Sequence, residues 1–193
     1  MAHSTRRRFL TTLAASGVAA SGLAGCSVGV PGEVRPGTEV EVMQLTQVIQ
    51  ALGHYVNPAE AYLAASLAYS ETYRLALAYE IEDPPLTHNS KVNLGIKPRG
   101  LCYHWADDLE RRLKQERFQT LALHRAVANW DNIRLEHSTV IISQRGDDMY
   151  SGIVLDPWRK GGSLTWVATL DDARYRWTPR AEVWRIRRQQ AAR

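Results

Sequence analysis

The sequence predicts an α+β fold, with helices first and a mainly antiparallel sheet second, on three observations. Apolar residues recur at spacings of three and four from Met43 to about Arg117, broken by proline- and glycine-bearing stretches. From Leu121 the period drops towards two, in runs separated by short polar turns. The chain has 193 residues, 45% apolar and 23% charged, which suits one packed domain and argues against disorder. Its two cysteines exclude a disulfide scaffold, and no Cys-x-x-Cys or Cys₂His₂ spacing supports a structural zinc site.

Each element has its own signal. Gly29, Pro31, Gly32, Pro36 and Gly37 make residues 27–42 a flexible tether ahead of a domain over 43–193. Leu45, Val48, Ile49 and Leu52 define a first helix from Met43. Asn57-Pro58-Ala59-Glu60 starts a second, with Asn as N-cap, Pro at the first helical position and Glu at the third. Asp83-Pro84-Pro85 cannot continue that helix, which should end near Ile81, and its Tyr62, Tyr69 and Tyr73 form one stripe assigned to the core. Prolines and glycines make residues 83–100 a loop. A third helix opens near Cys102 and runs to about Arg117, with Trp105, Leu109 and Leu113 on its apolar face. Strands are expected at 121–127, 133–143 and 149–155, with turns at 129–132 and 144–148. Arg185, Arg187, Arg188 and Arg193 read as a solvated tail.

Cys102 follows Arg99-Gly100-Leu101 at a helix start. Unpaired N–H groups and the positive end of the helix dipole favour a thiolate there, and the same groups suit an oxyanion. His137 and Asp156 are related by a hairpin argument. If Gly146-Asp147 forms a two-residue type II′ turn, Val140 faces Ile153 and His137 faces Asp156 on the same face of the sheet. An acid beside an imidazole orients the ring and stabilises its protonated form. Cys102, His104 and His137 lack further ligands at usual zinc spacings, so no metal is expected, and His104 and His124 are assigned structural or surface roles.

The segment Gly100-Leu101-Cys102-Tyr103-His104-Trp105-Ala106 resembles the nucleophile motif of the transglutaminase-like cysteine enzyme superfamily, where Gly-x-Cys begins a helix and a small residue follows four positions later. Glu136-His137-Ser138 and Leu155-Asp156-Pro157-Trp158 are similar to its histidine and aspartate segments, in the same order, so the resemblance covers about residues 95–160. It implies a transglutaminase-like or papain-like core with Cys102 as nucleophile, His137 as base and then acid, and Asp156 orienting His137. An acyl-enzyme resolved by water or by an amine is implied, with no cofactor. Trp158, next to the aspartate, is the cleft-wall candidate among Trp105, Trp130, Trp158 and Trp166. Ser138 departs from the pattern, since many members carry alanine there, and Asn89 and Asn93 are both open as side-chain oxyanion donors.

At the N-terminus, Thr5-Arg6-Arg7-Arg8-Phe9-Leu10 resembles a twin-arginine export signal, and Leu23-Ala24-Gly25-Cys26 resembles a bacterial lipobox. Residues 1–26 then form a signal peptide whose Cys26 receives the lipid. The implied partners are a membrane, through that anchor, and a protein, peptide or peptidoglycan-derived amide as substrate, at the cell envelope. The formal charge of +4 falls to +1 once Arg6, Arg7 and Arg8 leave, so no basic footprint for nucleic acid remains. A second reading makes the same fold an inactive binding or assembly module, with Cys102 buried or misaligned and no cleft. A redox or acyl-carrier role lacks a resolving cysteine.

Overall fold

The computed structural model describes residues 34–192. The expected signal peptide 1–26 with Cys26, the tether up to residue 33, and Arg193 lie outside the described residues. Helix α1 (Glu39–Gln50) begins earlier than expected, so residues 39–42 form its first turn rather than the end of a tether. The reason is a capping box: Thr38 Oγ1 accepts from Glu41 N, and the Glu41 carboxylate accepts from Thr38 N at 2.8 Å.

Helix α2 (Pro58–Ala78) starts at the expected cap, where Asn57 Oδ1 accepts from Ala59 N at 2.8 Å. The Glu60 carboxylate then accepts from Gln119 N and Thr120 N at 2.6 and 2.8 Å, tying the helix start to the chain that enters the sheet. The tyrosine stripe meets the core only in part: Tyr69 packs against it and Tyr62 does not. Tyr62 is 50% exposed, while Ala61, Ala64, Ala65, Ala68 and Ala76 are buried and let neighbouring elements approach closely. Tyr69 also accepts a hydrogen bond from Trp166 Nε1 at 3.0 Å.

The expected loop at 83–100 contains helix α3 (Pro85–Asn93). Pro84-Pro85 stops one helix and, with proline at the first position, starts the next. Helix α4 (Cys102–Lys114), one turn shorter than expected, buries Trp105, Leu109 and Leu113 as its pattern predicts, and Ala106 as well. Thirteen residues make a marginal helix in water, so this buried face is what holds α4 in place. Helix α5 (Arg180–Ala191) replaces the expected solvated tail, and Arg187 is part of the fold, donating to Trp130 O at 2.7 Å and pairing with Glu136.

The five strands are β1 (Leu121–Ala128), β2 (His137–Gln144), β3 (Ile153–Asp156), β4 (Thr165–Ala168) and β5 (Trp177–Pro179), in the order β4-β3-β2-β1-β5 with every neighbouring pair antiparallel. The architecture is therefore α+β, with five helices and one antiparallel sheet among the described residues. No described helix is long and apolar enough to cross a membrane.

The expected hairpin register is corrected by two residues. Val140 faces Leu155, not Ile153, and Ile142 faces Ile153. Residues 149–151 form a 3₁₀ turn capped by Asp148, rather than the start of a strand, so no two-residue hairpin joins β2 to β3. A slip of two keeps every side chain on its original face. Val140, Ile142, Ile153 and Leu155 pack under α1, α2 and α4, while Ile141 and Val154 join Ala126, Ala128, Met149 and Trp177 on the opposite face. His137 and Asp156 share the parity of Ile141 and Val154, and hence that opposite face.

Candidate functional site

The turn ahead of α4 is set by three side chains. Gly100 has φ +130°, a conformation that disfavours any side chain, and a Cβ there would lie 2.4 Å from His88 Nε2. That His88 nitrogen, buried on α3, donates to the Arg99 carbonyl at 2.8 Å. Trp105 Nε1 donates to the Gly100 carbonyl at 3.0 Å. His104 Nδ1 accepts from Gly100 N at 3.2 Å and Leu101 N at 3.3 Å, reaching back over the helix start. Burial, aided by the charge of Arg99, lowers the His104 pKa and so preserves Nδ1 as an acceptor. His104 is thus structural, as is His124, whose Nε2 lies 2.8 Å from Ser143 Oγ. Replacing Gly100 by alanine is expected to lower the unfolding free energy by about 1–3 kcal/mol from backbone strain alone. Urea unfolding checks this, and wild-type stability in the variant would contradict the account.

Cys102 is the first residue of α4, half-buried, with its thiol directed at the Glu136 carbonyl at 3.7 Å. The residue after Glu136 is His137, which opens β2 and is 1% exposed. His137 Nε2 donates to Asp156 Oδ2 at 2.6 Å, while its buried Nδ1 has no hydrogen-bond partner among the described residues. With the register shifted, continuing the ladder sets Asp156 opposite Thr139, and His137 reaches it on the diagonal. Burial alone would strip the ring of its proton. The negative charge of Asp156, their hydrogen bond and the nearby Cys102 sulfur outweigh burial and raise the His137 pKa to about 9. For Asp156, burial opposes ionisation, but His137 and Arg159 together lower its pKa.

Asp156 is held from its other side by Arg159, whose N reaches Oδ1 at 3.1 Å and whose Nε reaches Oδ2 at 2.9 Å. The same guanidinium contacts Asp172 at 3.1 and 2.7 Å, and Asp172 accepts from Trp177 Nε1 at 2.9 Å. Charges therefore alternate along His137, Asp156, Arg159 and Asp172, so no member of this buried row is left without an opposite neighbour. Three rings surround the imidazole, with centroids 4.7 Å (Trp158), 4.6 Å (Tyr175) and 5.5 Å (Trp177) away.

Cys102 and His137 open onto a cavity of about 470 Å³ lined also by Trp158, Arg134, Arg174 and Tyr175. That volume is within the roughly 300–1,000 Å³ of ordinary ligand sites. The structure thus brings together Cys102, His137, Asp156 and Trp158, the four predicted site residues that lie in the described chain. Trp105 is core, Trp166 is bonded to Tyr69, and Trp130 lines a neighbouring cavity. Asn89 lines the Cys102 cavity and accepts from Trp158 Nε1 at 3.1 Å, whereas Asn93 does not line it. Ser138 takes a hydrogen bond from the buried Arg125 at 3.2 Å, which gives the hydroxyl a structural use where the resembling motif has alanine.

Arg159, Asp172, Tyr175 and Trp177 escaped the sequence reading. Only Arg159, three residues after Asp156, carried a local signal, since such spacing suits a turn in which a side chain doubles back. Among the described residues no group of three or more His, Cys, Asp and Glu is arranged to hold a metal ion. No family model, curated protein or solved structure matches the chain.

Proposed function

We propose that this protein is a thiol enzyme with a transglutaminase-like or papain-like core, acting on an acyl group through Cys102, His137 and Asp156. The observation that carries this reading is the orphaned Nδ1 of a buried His137, fixed by Asp156 through Nε2, beside a half-exposed thiol in a cleft. A binding module, expected to have a buried or misaligned Cys102 and no cleft, fits less well a half-exposed Cys102 that lines a cavity together with His137.

In the proposed cycle, the Cys102 sulfur attacks the carbonyl carbon of an amide or ester and the C=O pair moves to oxygen. Backbone N–H groups of the first turn of α4 stabilise that oxyanion. His137 delivers its Nδ1 proton to the leaving nitrogen or oxygen as the bond to carbon breaks, leaving a thioester on Cys102. Water or an amine then attacks the thioester, His137 takes the proton, and the thiol is regenerated. Asp156 fixes the ring through Nε2, which leaves Nδ1 for the reaction, and stabilises the imidazolium. Trp158 walls the cleft, its indole fixed by Asn89. Cys26 places the enzyme on a membrane at the bacterial envelope, where a protein, peptide or peptidoglycan-derived amide is the substrate; no cofactor or nucleic acid takes part.

Alkylation by iodoacetamide at about pH 6 tests the pair. Rapid labelling of Cys102 in the wild type, falling at least about ten-fold in His137→Ala, is the expected result. Equal, slow labelling of both proteins would return the chain to the binding-module reading.

A further inference from the structure

We infer that the substrate is an anionic peptide amide, with a carboxylate close to the scissile bond, and that Arg134 and Arg174 select it. This deepens the thiol-enzyme reading and rests on it.

The charge around Cys102 is uneven. Its cavity is lined by three arginines, Arg134, Arg159 and Arg174, against one acid, Glu136. Two of these four cancel within the fold. Arg159 lies between Asp156 and Asp172, and Glu136 is paired with Arg187. Arg134 and Arg174 remain, both exposed, and neither has a carboxylate partner among the described residues. A guanidinium is planar and always charged, and it matches a carboxylate with two parallel hydrogen bonds, so a pair of them at a cleft mouth is a recognition device for that group.

Their placement relates them to the reacting groups. Arg174 stacks on Tyr175, with Cζ 5.5 Å from the ring centroid, and Tyr175 in turn lies 4.6 Å from the His137 ring. Arg134 is in the turn that leads into Glu136, whose carbonyl receives the Cys102 thiol. The two arginines thus line the cleft that holds Cys102 and His137 from different segments of chain. Apart from Asn89 and Asn129, much of the remaining wall is apolar: Pro84, Pro85, Leu86 and Leu135 line the cavity, with Leu86 73% and Leu135 61% exposed. A ligand that satisfies both features has an apolar portion and an anion.

The cleft does not end at the arginines. Asn129, Arg174 and Tyr175 also line an adjoining cavity of about 780 Å³. Arg174 therefore stands where the two meet, with room for chain on its far side. That favours a peptide over a small free acid.

Two alkylating agents of nearly the same size test this without knowledge of the substrate: iodoacetate, which carries a carboxylate, and iodoacetamide, which is neutral. The quantity read is the ratio of their rates at Cys102, which cancels any common change in thiol reactivity. In the full chain carrying Arg134→Gln and Arg174→Gln, the ratio of iodoacetate to iodoacetamide is expected to fall about 3- to 10-fold relative to wild type. Each single variant should lower it about 2- to 3-fold, which keeps the test open if the double variant does not fold. Raising ionic strength from about 20 mM to about 500 mM should lower the wild-type ratio and leave that of the double variant nearly flat. A ratio unchanged by the substitutions overturns the inference. If iodoacetamide labelling proves independent of His137, the thiol-enzyme reading fails instead, and the two failures are read from different measurements.

Discussion

Replacing Arg159 by leucine is expected to lower the free energy of unfolding by about 3–5 kcal/mol at neutral pH. The guanidinium bridges two carboxylates that are almost wholly buried, Asp156 and Asp172. Without it, Asp172 keeps only neutral donors, Trp177 Nε1 and Arg174 N. Asp156 keeps His137, but loses the contacts from Arg159 Nε to Oδ2. Breaking a buried ion pair from one side is costly because the partner charge stays behind, which is a larger effect than the net worth of the intact pair. Adding Asp172→Asn to Arg159→Leu removes one stranded charge and should restore part of the loss. Urea unfolding of the three proteins measures both effects, and a change below about 0.5 kcal/mol in the single variant would show that solvent reaches the acids.

The second large effect is a dependence of stability on pH above neutrality. His137 titrates at 6.5 in an exposed setting and at about 9 in the fold. Its bound proton therefore stabilises the folded state fully below about pH 6.5, and that contribution is lost as pH rises through about 9. A change of this size corresponds to about 3 kcal/mol. Asp156 acts at the other end: its pKa is lowered, so its contribution is present above the ordinary 3.8 and is lost as pH falls. Unfolding free energies of the wild type should thus decline by about 3 kcal/mol between pH 6 and pH 10 relative to the profile of His137→Gln. Parallel profiles for the two proteins would mean that the ring does not hold its proton in the fold.

Much of this was legible in the sequence for physical reasons that can be named. Asn57-Pro58 and the α4 stripe of Trp105, Leu109 and Leu113 are legible because capping and burial leave local and periodic marks. Helix α5 leaves no such mark, with Val183 as its only buried residue, and α2 hides its core face because alanine contributes little to a hydrophobic pattern. Helix α3 was missed because prolines read as a stop also serve as a start. Placing His137 and Asp156 on the same face survived an incorrect register because the error was an even number of residues. Arg159, Asp172 and Tyr175 lie outside the regular elements, where no period announces which side chains will meet. The two unpartnered arginines of the cleft carry no sequence signal, because which of its charges cancel depends on ion pairs between distant segments.

The position of β2 has a consequence for how this protein can change. The strand is paired along its length with β1, its residues Val140, Ile141 and Ile142 are also paired with β3, and every residue but Gln144 is buried. Such a strand opens only with the cooperative unit as a whole, and its amides should be among the slowest to exchange with solvent. His137 is the first residue of that strand, paired with Ala128 of β1 and buried with the rest of it. Trp158, Arg134, Arg174 and Tyr175 lie in turns and irregular chain outside the strands and helices. Substitutions in those segments can alter what the cleft accepts while the frame that presents the imidazole stays unchanged, so selectivity and proton transfer are free to evolve at different rates.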